Sequence, residues 1–269
     1  MFDILAIRIL VIFFAAFLIT LAVMPAAMKL APKIGAMDMP KARGMHHKPM
    51  PRTGGLAIFI GSMASMLLCL PIWDNTVLAG ITVFQDQRMI GVLAGGAFIF
   101  LVGLADDIKG LPPKVKLAGQ IIAALVLYRF SVRFDGIGNP FHDNAEKIIE
   151  FPWLVSLILT VIWVVAITNA INLIDGLDGL AGGVAFIASM CIAYTAYIHG
   201  WYLVCMALLA LAGGTAGFLP FNFHPAKTFM GDGGALFLGF MLSAISIMNP
   251  VKTTALLATV CLLYTSRCV

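Results

Sequence analysis

Charge is scarce in this sequence. Asp, Glu, Lys and Arg make up 11% of its 269 residues, against about 25% in an ordinary soluble domain. With 61% hydrophobic residues and a mean hydropathy of +1.00, a soluble fold would lack the polar surface to cover itself. The five cysteines (Cys69, Cys191, Cys205, Cys261, Cys268) show no CxxC or Cys/His ligand spacing, so they read as small core-filling residues. No long basic block accompanies the net charge of +4, which argues against a nucleic-acid partner. No Ser/Pro-rich linker or charge run divides the chain, so residues 1–269 read as a single domain.

What the sequence has instead is long apolar runs. A bilayer-spanning helix needs about 17 to 25 such residues. Runs near 4–24, 54–72, 89–105, 115–131, 153–169, 180–198, 201–219 and 235–250 meet that length, and another begins near Lys252. The expectation is an all-α polytopic membrane protein with about eight complete transmembrane helices and a truncated ninth. Asp3 precedes Arg8 at the start and no basic n-region is present, so the first run reads as an uncleaved helix rather than a signal peptide.

Alternation puts Lys29, Lys33, Lys41, Arg43, Lys48, Arg52, Lys109, Lys114, Lys116 and Lys227 on one side. The other side holds Arg88, Arg129, Arg133, Lys147 and Lys252. The positive-inside rule makes the first side cytoplasmic and the N-terminus extracytoplasmic. Asp38, Asp106, Asp107, Asp175, Asp178 and Asp232 fall on that same side, five of them hard against apolar runs. Carboxylates near hydrocarbon need a cation or a water-filled cavity, so these acids point to one shared site.

Four segments carry the chemistry. Asp106-Asp107 follows an apolar run directly, and two adjacent carboxylates repel unless a cation neutralises them. In Asn172-Leu173-Ile174-Asp175-Gly176-Leu177-Asp178-Gly179 the acids are three apart and share a face if helical; the competing reading is a turn between two helices. In the segment 221–234, Asn222, Lys227 and Asp232 lie around Gly231, Gly233 and Gly234. Asp232 there is either a helix cap or a hard oxygen ligand for a divalent cation, and His224 reads as a loop histidine. Lys48, Arg52, Thr53 and a Gly pair precede another run, which suits phosphate as well as it suits membrane anchoring. Carboxylates for a metal and cations for phosphate, on one face, suit a diphosphate substrate reacting at a membrane surface.

The segments HKPMPRTGG, GLADDIKGLPPKVKLAGQ, TNAINLIDGLDGLAGG and FNFHPAKTFMGDGG resemble, in order and spacing, the signatures of the polyprenyl-phosphate N-acetylhexosamine-1-phosphate transferases. The resemblance runs from about Lys33 to about Pro250. MPRTGG is closest to the branch that uses UDP-N-acetylglucosamine, and less like the phospho-MurNAc-pentapeptide translocases. The resemblance implies a bacterial inner-membrane enzyme with cytoplasmic active-site loops. Its substrates would be a UDP-N-acetylhexosamine and undecaprenyl or decaprenyl phosphate. Its products would be UMP and a polyprenyl-diphosphate sugar that starts a cell-envelope polysaccharide. It further implies Mg²⁺, or Mn²⁺ in its place, held by Asp232, Asn172 and Asp175. Asp106 and Asp107 would be catalytic, Lys48, Arg52, Asp178, Asn222 and Lys227 would contact substrate, and a homodimer is compatible.

The family continues into further spans and a His-rich cytoplasmic loop, whereas this chain ends in LLYTSRCV with no HHH cluster. A C-terminal truncation, with reduced or absent catalysis, is therefore expected. The competing function from another class is an ion-coupled transporter. That would place acids near the midplane and show repeated halves, neither of which is evident here.

Overall fold

The computed structural model describes residues 2–39, 49–72, 86–138 and 148–248. Among these residues eight helices run in chain order: α1 (Phe2–Ile34), α2 (Gly54–Ile72), α3 (Gln87–Lys109), α4 (Pro113–Arg129), α5 (Trp153–Ile174), α6 (Leu180–Ile198), α7 (Tyr202–Asn222) and α8 (Gly231–Met248). Two short antiparallel ribbons accompany them. β1 (Met37–Asp38) pairs with β2 (Met50–Pro51), and β3 (Gly136–Gly138) pairs with β4 (Ile148–Glu150). The protein is an all-α polytopic membrane protein.

The span count is corrected downward. Among the described residues, six helices are long and apolar enough to cross a membrane: α1, α3, α5, α6, α7 and α8. The apolar stretch Gly54–Leu68 of α2 is shorter, and α4 has 17 residues, about 25 Å at 1.5 Å per residue against a hydrocarbon core of about 30 Å. The expected ninth helix lies outside the described residues. Two boundaries also move. α1 runs ten residues past its expected end, through Pro25 and Pro32. α3 continues to Lys109, so Asp106 and Asp107 lie within its last turn instead of following it.

α8 stands at the centre, packed by α2, α3, α5, α6 and α7. Hydrocarbon gives no hydrophobic drive between helices, so close packing and polar ties hold them together. Glycines permit the approach: a Cβ on Gly103 of α3 would lie 2.6 Å from the Asp232 carbonyl, and one on Gly239 would lie 2.6 Å from the Thr168 Cα. The Trp163 indole of α5 donates to the Ser246 hydroxyl of α8 at 3.1 Å. α1 covers α2 and α7 from outside and leaves Ile7, Leu10, Phe14 and Leu18 exposed where lipid would lie. α5 leans on α8 and α6 on α7. At one end of the bundle the C-termini of α1, α3, α5 and α7 therefore meet the N-termini of α2, α4, α6 and α8. The described parts of all four motif segments are at that end.

Candidate active site

The site begins with how α3 stops. Gly110 takes the left-handed conformation (φ 66°) as its cap and donates to the Asp106 carbonyl at 2.7 Å. This is glycine's usual role past a helix C-terminus, and the prolines that follow cannot extend α3. Pro112 and Pro113 instead open α4 beside α3. The turn returns Lys116 to the acid pair, ten residues after Asp106. The Lys116 ammonium stands 2.9 Å from Asp106 Oδ2 and 2.9 Å from Asp232 Oδ2. Asp106 Oδ1 also accepts the Leu111 N–H at 2.5 Å.

Asp107 faces a different way. Its two oxygens accept the backbone N–H groups of Asp232 and Gly233, each at 2.8 Å. Those are unpaired donors at the start of α8, where the helix dipole also favours negative charge. A residue of α3 thus caps α8. The cap is possible because Gly231, at φ +76°, leaves room where a Cβ would lie 2.7 Å from Asp107 Oδ2. The capping reading of Asp232 itself is not what the structure shows: its side chain pairs with Lys116.

The first motif segment is laced to the fourth. Gly54 and Gly55 donate to the Phe229 and Met230 carbonyls at 3.0 and 2.8 Å, and Phe229 donates to Pro51 at 2.8 Å. Arg52 lies at the rim, 3.5 Å from Asp38. The third segment is tied to the fourth by Asn222, which accepts from the Gly179 N–H at 3.0 Å and donates to the Thr228 carbonyl at 3.0 Å. Asp178 Oδ2 accepts the Ala226 N–H at 3.2 Å and sits 3.1 Å from His224 Nδ1. In this structure Asn222 and Asp178 brace loops. Lys227 is exposed, Asn172 is half-buried on the last turn of α5, and Lys48 lies outside the described residues.

Asp175 caps the C-terminus of α5. Burial, reinforced by the nearby Asp232 and Asp107 carboxylates, pushes its pKa up to about 8. Its unfolded value is near 3.8, so between these limits the folded state holds a proton that the unfolded state has released. The contribution of Asp175 to stability is then fullest below about pH 4 and is lost as pH rises toward 8. In chelator, thermal melts of the detergent-solubilised protein should show this downward slope, and Asp175→Asn should make it shallower. An unchanged slope would remove Asp175 as its source.

Sequence reading missed Lys116, which it counted only as an anchoring charge, and left Gln120 and Asn169 without roles. The available signal was a lysine just beyond a Gly-Leu-Pro-Pro turn that follows two acids. Among the described residues no group of three His, Cys, Asp or Glu is arranged to hold a metal. The donor chemistry nevertheless fits one. Asp106 and Asp232 are hard oxygen donors that already share a cation, the Lys116 ammonium, and Asp175 lies close enough to feel the Asp232 charge. Such donors suit Mg²⁺ or Mn²⁺ rather than softer ions.

The arrangement brings anionic side chains, a lysine and glycine-lined backbone to one end of a membrane bundle. Residues 89–249 match the sequence profile of glycosyl transferase family 4. The chain belongs to that family. Within it, the chain is 40% identical over 260 residues to a probable undecaprenyl-phosphate N-acetylglucosaminyl 1-phosphate transferase of Bacillus subtilis, covering 97% of this chain and 68% of that protein. It is 37% identical over 232 residues to the decaprenyl-phosphate N-acetylglucosaminephosphotransferase of Mycobacterium tuberculosis, covering 81% of this chain and 54% of the other. A phospho-N-acetylmuramoyl-pentapeptide-transferase of Oceanobacillus iheyensis is 36% identical over 212 residues, 74% of this chain and 61% of that protein. The chain thus spans between about half and two thirds of its relatives' length. The family match takes in Asp106, Lys116, Asp175 and Asp232; Arg52 lies before it.

Proposed function

We propose that this protein transfers GlcNAc-1-phosphate from UDP-GlcNAc to a polyprenyl phosphate, releasing UMP and leaving a polyprenyl-diphosphate sugar. The observation that carries the reading is the Asp106–Lys116–Asp232 cluster at the end of the bundle where all four motif segments meet. The names of the relatives support the sugar and the lipid. The positive-inside distribution supports a cytoplasmic site in a bacterial inner membrane.

An oxygen of the lipid phosphate attacks the sugar-bearing phosphorus. The bond from that phosphorus to the bridging oxygen breaks, and the bridging oxygen leaves with UMP. A phosphate monoester has a second pKa near 6 and is mostly dianionic at neutral pH, so the attack needs no strong general base. The work left to the protein is alignment and charge neutralisation. Lys116 supplies positive charge beside the reacting phosphates. Asp106 holds Lys116 in place, and Asp107 fixes the start of α8 and so aims Asp232. Asp232, Asp175 and Asn172 are the residues to hold Mg²⁺, which when bound would neutralise diphosphate charge. Arg52 lies at the rim of the cluster, where it would meet an incoming nucleotide diphosphate, and Lys48 is a second candidate phosphate contact by its place in the sequence.

The test is UMP release by the purified protein in lipid nanodiscs, given undecaprenyl phosphate, Mg²⁺ and UDP-GlcNAc. Release that depends on both substrates is expected. Release with UDP-MurNAc-pentapeptide alone would move the protein to the translocase branch, and no release with either sugar nucleotide would refute the reading for this chain.

A further inference from the structure

One turn inward from Lys116, two amides meet inside the bundle. Gln120 of α4 is 2% exposed. Its Nε2 donates to Asn169 Oδ1 at 3.2 Å, and Asn169 Nδ2 donates back to Gln120 Oε1 at 2.7 Å. Asn169 Nδ2 also donates to the Val165 carbonyl of its own helix at 2.8 Å, which fixes its direction. The pair is reciprocal, so neither amide can move without leaving a polar group unsatisfied at membrane depth, a costly state.

The placement matters because of where α4 is held. α4 packs mainly on α3 and α5, and its outer face of Leu117, Ile121, Ile122 and Leu125 is exposed. Against α3 it offers Gly119, which seats Val102. A slip of one residue would turn α4 by about 100° and shift it about 1.5 Å, taking Lys116 away from both carboxylates. Gln120 is four residues after Lys116 and so lies on the same face.

We propose that the Gln120–Asn169 clasp is a positioning device. It sets the rotation and depth of α4 so that the Lys116 ammonium stands between Asp106 and Asp232. Gln120 and Asn169 are positioning residues for that cluster, and their bearing on turnover rests on the function proposed above.

The test uses the whole chain in detergent and exploits length. Gln120→Asn shortens one arm by a methylene while keeping the amide, and Gln120→Asn with Asn169→Gln restores the combined reach. Acetic anhydride labelling of Lys116, read by mass spectrometry as a ratio to exposed Lys114, reports the lysine's engagement without any substrate. Gln120→Asn should raise that ratio about threefold or more, and the exchanged pair should return it to within about 1.5-fold of the parent. A lesion that only loosened the fold would not be repaired by the exchange. An unchanged ratio in Gln120→Asn, or an exchanged pair no better than the single variant, overturns the proposal. In the UMP assay kcat should fall about tenfold in the single variant, with KM for UDP-GlcNAc within about twofold, and recover in the exchange. The expected labelling pattern in a protein that releases no UMP would sink the function and keep the clasp. Normal UMP release with unaltered labelling would do the reverse.

Discussion

Asp232→Asn is expected to lower UMP release by about 10³-fold or more while leaving the fold intact. The two consequences separate because Asp232 does two jobs with different atoms. Its backbone N–H is what Asp107 accepts at the start of α8, and that bond survives the substitution. Its side chain faces Lys116, and exchanging the carboxylate for a neutral amide removes the negative charge that draws a hard cation to this position. The variant should therefore elute and melt like the parent in chelator, yet lose the rise in melting temperature that Mg²⁺ gives the parent. Turnover within about tenfold of the parent would remove Asp232 from the site.

Lys116→Gln carries the second large effect, a fall in kcat of about 10²- to 10³-fold. The ammonium is the cation seen between Asp106 and Asp232, and glutamine cannot replace its charge. The same substitution should strengthen binding of a divalent cation, because the two carboxylates lose the group that competes for them. Weaker turnover together with a lower Mg²⁺ requirement in thermal melts is the combined signature. A variant that needed more Mg²⁺ would show that Lys116 supports the metal's place instead of competing for it. One that kept full turnover would make the cluster a structural ion pair.

The site was legible in the sequence to the extent that it depends on sidedness. Asp106, Asp175 and Asp232 were each read from their place at the end of an apolar run, and the structure brings them together. Asp106 and Asp107 could not be told apart by reading. Adjacent residues on a helix point about 100° apart, and which of them meets the N-terminus of α8 depends on how closely Gly103 lets α3 approach. Asn222 and Asp178 were read as substrate contacts on the family resemblance. In the fold their hydrogen bonds go to the loops at Gly179, Thr228 and Ala226, since buried backbone groups there need partners. Two of the eight expected spans fall short among the described residues because the apolar stretch of α2 is confined to Gly54–Leu68 and α4 is no longer than its 17-residue apolar run.

The amino-acid sequence by itself determined that this is a helical membrane protein, which motif loops share a side, and which family it resembles. Hydropathy and charge asymmetry are summed over local windows, so they need no knowledge of neighbours. Only the tertiary structure decided that Lys116 is the cation between Asp106 and Asp232, that Asp107 caps a helix other than its own, and that Gln120 meets Asn169. Each of those contacts joins separate helices, and in hydrocarbon the pairing of helices is chosen by steric fit and hydrogen-bond geometry, neither of which is written in any one stretch of chain.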